Sequence, residues 1–381
     1  MPKTLKHSRA MIQKKRVQHG DIIIGKPLPW DAFDENDKLL LKEGLIIQSE
    51  FQLNALLKRG LYIHRTEDHQ FSEVEHLNRC PFEAFAETYD RLEIVFCRDK
   101  AEKDFSSGIR GIGKILQQYY QQDANASLAE LLLCEKRKYP IIHSVHTALI
   151  CEVTLQALGW PPEERLSTIA AALTMNIAMF QLQERLHSQK EPLSERQRQE
   201  IQNHPIRGLD ILRGLGVTDQ VWLDTVLGHH ERLDGSGYPV AMKSDDISVP
   251  ARVVAMGDLY CAKISSRAYR KPLLSSNALR NLFLETPQNI DGHIVKLLIK
   301  KVGMYPPGTF VELNNGEIAV VTQVGAEVQY PVLKSVVGIS GTPRPMPIFR
   351  DCRMEEFRIK KIIDQSAIGI EVNRYILWEY K

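Results

Sequence analysis

The stretch from His229 to Pro239 decides how this sequence is interpreted, and it reads His-His-Glu-Arg-Leu-Asp-Gly-Ser-Gly-Tyr-Pro. Paired histidines are good ligands for a transition metal. Gly235 and Gly237 allow a tight backbone excursion directly after the histidines. Taken alone, such a pair more often belongs to a helix end that carries two ordinary histidines, followed by a loop. Whether this stretch forms a metal site or an ordinary loop depends on which other residues the chain supplies.

Composition indicates a globular protein of two or three domains. The chain has 381 residues, of which 43% are hydrophobic and 25% charged, and its formal net charge is +2. Such a charge does not indicate a nucleic-acid partner. No apolar run is long enough for a transmembrane segment, and the N-terminus lacks the apolar core of a signal peptide. Six cysteines without C-x-x-C spacing are typical of free thiols, so we expect a cytoplasmic protein.

The residue pattern predicts five segments. Residues 1–20 are basic and are predicted to be a solvated tail, with contact to anionic lipid or nucleic acid as the alternative. Residues 21–66 form a small α/β domain, 67–81 a connector, 82–303 a mainly helical domain and 304–381 a β-rich segment.

Two local patterns support the last two segments. A 3.6-residue apolar period predicts that one helix carries a single apolar face, formed by Leu166, Ile169, Ala170, Leu173, Ile177 and Phe180. Asn315-Gly316 between two apolar runs predicts a β-hairpin. Further strands are expected at 332–337 and 368–372. The fold class predicted is mainly α, with a small N-terminal α/β unit and a β-rich C-terminal unit.

The eleven-residue stretch resembles the signature of the HD-GYP family, bacterial phosphodiesterases that hydrolyse cyclic di-GMP. The resemblance covers roughly residues 143–272 and implies a helical HD-type bundle. Family enzymes hold two or three metal ions, and a metal-bound hydroxide attacks the phosphodiester while a lysine offsets the developing charge. The matching metal-ligand positions in this sequence are His143, His204, His229, His230 and Asp258.

The resemblance also implies contacts to phosphate and to partner proteins. The positions that match phosphate- or substrate-binding residues are Tyr238, Arg267, Tyr269 and Arg270. The loop that could bind a partner contains Gly235, Gly237, Tyr238 and Pro239. The implied partners are cyclic di-GMP and a diguanylate cyclase or another signalling protein.

The His-Asp doublet that names the family is missing. The family reads Leu-His-Asp-Ile-Gly-Lys where residues 174–179 read Thr-Met-Asn-Ile-Ala-Met. Met175 therefore replaces the histidine, Asn176 the bridging carboxylate and Met179 the lysine. The span from Met175 to His204 is 29 positions, as in the family, so the ligands are substituted rather than displaced. Tyr139 stands where members with three metal ions carry a glutamate.

These replacements have chemical consequences. A thioether is a poor ligand for hard or borderline cations, and a neutral amide supplies no charge to hold two dications together. Met175 and Met179 are four residues apart and are expected to share one apolar helix face. The resemblance then implies at most one divalent ion, zinc, iron or manganese, on His204, His229 and His230, or none. Its binding is expected to weaken as pH falls through the imidazole range.

Three functions follow. The first is a catalytically impaired regulatory or binding module in cyclic di-GMP signalling. The second is a weak cyclic di-GMP phosphodiesterase with a reduced metal site. The third is a scaffold that binds a partner through the Gly-Tyr-Pro loop. Loss of the doublet and the lysine favours the first and third, and retention of five ligand positions and both arginines favours the first over the third.

Overall fold

The computed structural model contains two compact units, residues 1–78 and 79–381. In the second unit, the structure describes residues 80–97, 105–134, 137–265, 275–284, 289–364, 368–370 and 372–380. In the first unit, it describes residues 13–17, 22, 28, 30–35, 37–42, 44–47, 52–53, 56–57 and 60–65.

The N-terminal unit contains a four-stranded antiparallel sheet in the order β1-β4-β2-β3. Its strands are β1 (Gln13–Arg16), β2 (Ala32–Phe33), β3 (Leu39–Leu41) and β4 (Tyr62–Arg65). The sequence predicted a solvated tail over 1–20, and the structure differs at β1. Val17, which directly follows β1, is buried with Leu28 and Leu61, and this apolar contact outweighs the basic character of the strand.

The mainly helical fold predicted for the middle of the chain is confirmed. Its helices are α1 (Pro81–Cys97), α2 (Phe105–Gln122), α3 (Ala124–Leu133), α4 (Tyr139–Ala157), α5 (Pro162–Thr174), α6 (Phe180–Ser188), α7 (Glu195–Gly214), α8 (Gln220–Gly228), α9 (Val249–Ile264), α10 (Ser275–Leu284) and α11 (Gly292–Val302).

Helix α4 is the centre of this body. It is apolar around most of its circumference and packs against α5, α9 and α11, so almost every one of its side chains is buried. Leu149 and Val153 are fully buried there. Burying such a side chain contributes about 1.5–3 kcal/mol. Truncating Leu149 to alanine is therefore expected to cost about 2–5 kcal/mol.

The single helix predicted from Leu166 to Phe180 is wrong. Helix α5 ends at Thr174, a 3-10 turn follows at Ile177–Met179, and α6 begins at Phe180. Asn176 between them has φ −101° and ψ 14°, which is not helical. Neither glycine nor proline marks this break, so the apolar period alone did not reveal it.

Met175 and Met179 consequently do not share a helix face. Met175 follows the last residue of α5 and is fully buried in the main core. Met179 ends the 3-10 turn and is half-buried. The expectation of one continuous apolar surface at these two positions is therefore wrong.

The C-terminal strands form a five-stranded antiparallel sheet in the order β8-β7-β6-β5-β9. The strands are β5 (Phe310–Leu313), β6 (Ile318–Gln323), β7 (Val332–Val337), β8 (Pro343–Asp351) and β9 (Ile359–Ile363). The hairpin around Asn315-Gly316 is confirmed, with Gly316 at φ +88°. The strand predicted at 368–372 is wrong for its described residues, which have no regular structure.

The chain ends on the helical body. A short helix, α12 (Arg374–Leu377), brings three aromatic rings edge-on to Phe82 of α1, those of Tyr375, Trp378 and Tyr380. Arg374 forms a buried ion pair with Glu130 of α3 at 3.1 Å. These contacts join the sheet segment to the helices in one unit. No helix in the described ranges combines the length and apolarity that a bilayer crossing requires.

Candidate functional site

Three histidines lie together where the end of α8 meets α7. His204 lies within α7, and His229 and His230 directly follow Gly228, the last residue of α8. One ring nitrogen of each lies within 4.8 Å of the others. His204 and His229 are fully buried and His230 is half-buried. We call these three residues the histidine cluster.

The helices that carry the cluster are fixed at their N-termini. Helix α7 begins with a capping box in which Ser194 and Gln197 bind each other's backbone N–H groups. Asp219 caps α8 by accepting from the Trp222 backbone N–H, and it also accepts from Ser167 Oγ of α5 at 2.6 Å. The Trp222 indole N–H then donates to Thr174 Oγ1 at 2.7 Å. The cluster is thereby tied to the end of α5, directly before Met175.

Backbone carbonyls fix the tautomers of two histidines. His204 Nδ1 lies at hydrogen-bond distance from the Ile201 carbonyl oxygen, and His229 Nδ1 lies 2.7 Å from the Val226 carbonyl oxygen. A carbonyl oxygen only accepts, so each Nδ1 must carry the proton. In the neutral rings, each Nε2 then carries an unprotonated lone pair.

Those two lone pairs face each other. His204 Nε2 and His229 Nε2 are 3.1 Å apart, a distance at which one nitrogen would have to donate to the other. Neither neutral ring has a proton there, so the arrangement is repulsive unless a cation lies between them. Two nitrogens that bind one zinc ion at about 2.0–2.1 Å lie roughly 3.0–3.4 Å apart. The spacing therefore fits a shared metal ion.

Burial argues against a proton as that cation. Desolvation, with a smaller contribution from the His229 charge, lowers the pKa of His204 to about 3. Burial also lowers the pKa of His229, and it holds the pKa of His230 well below its usual value. The rings are therefore neutral near pH 7, which is the form that ligates a metal ion.

The other two predicted ligands bind each other. His143 of α4 and Asp258 of α9 are 2.7 Å apart, between Nε2 and Oδ1. Burial raises the pKa of Asp258, but the hydrogen bond and charge of His143 outweigh it and hold this pKa below its usual range. Electrostatic interactions with His230 and His229 also lower the pKa of Asp258, so Asp258 lies near the histidine cluster. Because His143 Nε2 keeps its proton and donates this N–H to Asp258, it has no lone pair at that atom for an ion.

The two substituted doublet positions carry neutral, buried side chains. Met175 is completely buried, and Asn176 is 4% exposed. Among the residues that the structure describes, none provides a hydrogen bond to the buried Asn176 Oδ1. A buried, unpaired amide oxygen costs free energy unless a donor or a cation reaches it. Asn176 is thus the one substituted position that retains an oxygen available to a ligand.

Tyr139 forms a stack that the sequence did not predict. Its ring lies parallel to His187 at 4.4 Å between centroids and stacks on His143 at 5.3 Å. The Tyr139 hydroxyl is 3.4 Å from His143 Nδ1. His187 lies in α6, and only the break after α5 brings it here. Its sequence neighbourhood carries no signal of this role.

The Gly-Tyr-Pro turn folds back onto the cluster. The Tyr238 ring stacks on His230 with centroids 4.7 Å apart and 27° between the planes. The Tyr238 backbone N–H donates to the His230 carbonyl at 3.2 Å. A Cβ on Gly237 would lie less than 3.0 Å from backbone atoms of residues 230–232, so only glycine fits there. The Tyr238–Pro239 peptide bond is cis.

Sequence reasoning noted Glu231 only as the acid after the histidine pair and assigned it no role. In the structure it is buried and accepts three backbone hydrogen bonds from the same loop. The predicted phosphate contacts Arg267, Tyr269 and Arg270 lie outside the described residues.

Residues 127–294 match the family model of the HD domain. Among curated proteins, the chain is 26% identical over 242 residues to the cyclic di-GMP phosphodiesterase PdeB of Borreliella burgdorferi. It is 28% identical over 199 residues to the cyclic di-GMP phosphodiesterase PA4108 of Pseudomonas aeruginosa. These alignments cover 63% and 52% of this chain. They span 64% and 48% of the relatives, so the chain matches less than two thirds of each.

The fold is similar to that of Bd1817, an HDG"Y"P protein from Bdellovibrio bacteriovorus. The TM-score is 0.52, and the match covers 76% of this chain and 99% of that chain. Sequence identity in the superposition is 15%, so this likeness concerns the fold alone.

Proposed function

This chain carries an HD domain of the HD-GYP family, and we propose that it is a regulatory or binding module of cyclic di-GMP signalling whose hydrolytic activity is impaired. In this proposal the histidine cluster holds one divalent ion, and the neighbouring position holds none.

The proposal rests on a difference between two parts of the candidate site. One half is the histidine cluster, and the other half is the His143–Asp258 pair. In the histidine cluster, two lone pairs point at each other across 3.1 Å and need a cation between them. In the other half, His143 and Asp258 already satisfy each other at 2.7 Å. This difference supports an ion in the histidine cluster and none beside His143 and Asp258.

The substitutions support the loss of hydrolysis. A charged ligand is needed to hold two dications close together, and Asn176 supplies none. Met175 and Met179 offer neither an imidazole nor an ammonium group to the reacting phosphate. Removing a single group that stabilises charge in a transition state costs about a hundredfold to a thousandfold in rate. The three replacements together are expected to bring turnover close to zero.

The ion supplies Lewis acidity when it is bound, and the chain's own residues define what can approach it. His204 and His229 hold it from the buried side, and His230 is oriented by Tyr238. Arginine suits phosphate because its planar fork donates two hydrogen bonds. On the sequence alone, we assign the phosphate of a bound nucleotide to Arg267 and Arg270.

A weak phosphodiesterase is the second candidate, and one observation favours it. The buried Asn176 oxygen has no hydrogen-bond donor among the described residues and is free to ligate a cation. An ion that binds both Asn176 and the histidine cluster would activate a water molecule without a second metal.

One sample of purified protein tests the proposal. Elemental analysis gives ions per chain, titration calorimetry gives cyclic di-GMP affinity, and chromatography of the nucleotide gives turnover. We expect about one ion, measurable nucleotide binding and no turnover. The double variant Arg267→Ala plus Arg270→Ala is expected to lose nucleotide affinity and to keep the ion. Turnover at enzymatic rates, on the order of 1 per second or faster, contradicts the proposal.

A further inference from the structure

Glu231 closes the loop that contains the Gly-Tyr-Pro turn. Its side chain is only 4% exposed. One carboxylate oxygen accepts from the backbone N–H groups of Val240 at 2.7 Å and Ala241 at 3.1 Å, and the other accepts from Met242 at 3.0 Å. Residue 231 is thereby joined to residues 240–242, across the whole loop.

At the far end of the closed loop, the backbone of Ala241 has an unfavourable conformation. Ala241 has φ +63°, in the left-handed region that disfavours any residue with a Cβ. Three successive N–H groups converge on one carboxylate only because the backbone turns in this way. The hydrogen bonds to Glu231 therefore hold a conformation that Ala241 would not adopt by itself.

The closure determines where Tyr238 lies. Tyr238 is two residues before the N–H groups that Glu231 binds, and its ring stacks on His230 at 4.7 Å between centroids. Gly237 lets the backbone pass against residues 230–232 at a distance that excludes a Cβ. The loop is thus held at both ends, and the Tyr238 ring limits the rotation of the His230 imidazole.

We infer that Glu231 is a positioning residue: it closes the 231–242 loop, and so holds Tyr238 against His230 and fixes the third imidazole of the histidine cluster. The part of this inference that concerns metal affinity rests on the proposed function. The part that concerns loop closure and the orientation of His230 does not.

The first experiment needs no metal and uses the full-length chain in chelator. Glu231→Gln keeps the shape of the side chain but replaces one acceptor oxygen by an N–H donor, which cannot bind the backbone N–H groups. Asp234→Asn is the matched control, because Asp234 lies in the same loop, loses the same charge, and is exposed. Arg232 and Lys243 are exposed in this loop and provide trypsin sites.

We expect Glu231→Gln to speed tryptic cleavage after Arg232 and Lys243 at least tenfold, and Asp234→Asn to change it less than twofold. The NMR signal of the His230 ring is expected to move towards its position in Tyr238→Leu, since Glu231→Gln releases the stacked Tyr238 ring and Tyr238→Leu removes it. Unchanged cleavage, or a His230 signal that stays at the wild-type position, overturns the inference.

The second experiment uses zinc and a double-mutant cycle. Glu231→Gln is expected to weaken zinc binding about tenfold in the wild-type background and to have no further effect in His230→Ala, because Glu231 acts through His230. An equal loss in both backgrounds shows a general structural effect and overturns the positioning role. Wild-type protein that binds no zinc contradicts the proposed function instead, and the cleavage and NMR results still decide the loop closure.

Discussion

His143 donates its Nε2 proton to Asp258 Oδ1 at 2.7 Å, which closes one half of the candidate site with a contact inside the protein. The resemblance to HD-GYP enzymes implies that these two residues would bind the same metal ion as the missing doublet. The doublet positions here are a buried thioether and a neutral amide. The hydrogen bond therefore supports the proposal that this half holds no ion.

Restoring the doublet and the lysine is expected to reopen this half. The triple variant Met175→His, Asn176→Asp and Met179→Lys should raise the metal content from one ion per chain towards two, because a carboxylate can then bridge two dications. Measurable cyclic di-GMP turnover should appear with it. Met175 is fully buried, so the single variant Met175→His is a control that adds an imidazole without the bridging charge. A triple variant that folds, yet gains no ion, contradicts the assignment.

Metal binding is expected to tolerate acid better than the sequence suggests. Burial lowers the pKa of His204 to about 3 and also lowers the pKa of His229 and His230. Protonated imidazole cannot ligate, so protons compete with the metal only below these lowered values. The loss of zinc affinity should therefore begin at a lower pH than the ordinary histidine range near about 6.5. Calorimetry at several pH values tests this, and a steady loss of affinity that begins near that range contradicts it.

Two glycines provide a matched test of the turn. Gly237→Ala places a Cβ less than 3.0 Å from backbone atoms, so we expect a loss of stability of about 1–3 kcal/mol and weaker zinc binding. Gly111 lies inside α2, and outside the nearby turns of its own helix no atom of the described residues would come within 4 Å of an added Cβ. Gly111→Ala should instead stabilise the protein by about 0.5–1 kcal/mol. Denaturant unfolding measures both, and a neutral Gly237→Ala would show that the turn does not depend on this contact.

At pH values above its ordinary pKa, the ionised side chain of Glu317 stabilises the C-terminal sheet. Arg350 and Arg344 bind its buried carboxylate at 2.8–3.1 Å, and the hydrogen bond from Arg350 is the main cause that lowers its pKa from 4.5 to about 2. A lowered pKa contributes stability that is complete above about 4.5 and disappears as pH falls through about 2. At neutral pH this amounts to about 3 kcal/mol.

Glu317→Gln should therefore be destabilised at pH 7, and its difference from wild type should shrink as pH falls from 4.5 towards 2. Glu312→Gln is the control, since Glu312 pairs with the exposed Lys360 and Lys361 and should change stability little. Equal effects of the two variants on the unfolding free energy contradict the special role of Glu317.

Much of the fold followed from local patterns in the sequence. The apolar period predicted the helical body, and Asn315-Gly316 predicted its hairpin because glycine accepts φ +88° without cost. The spacing between Met175 and His204 fixed the register of the site. These signals lie within short stretches of chain, where neighbouring residues determine the conformation.

The features that the sequence did not predict depend on distant contacts. The break after Thr174 coincides with a hydrogen bond from Trp222, 48 residues away. Strand β9 was missed because it pairs with β5 across a separation that no local pattern records. The same holds for the stack of Tyr139 on His187, and for Glu231, whose partners are 9–11 residues further along the chain. Acidity next to a glycine-rich turn was the only available signal for Glu231.

The central claim is that one half of the site holds an ion and the other does not. Elemental analysis of the wild-type protein, purified without added metal and assayed for cyclic di-GMP turnover on the same sample, tests it most directly. We predict one ion per chain and no turnover. His204→Ala should lose that ion, whereas His293→Ala, which changes an exposed histidine of α11, should keep it. Two or more ions per chain with turnover on the order of 1 per second would contradict the account.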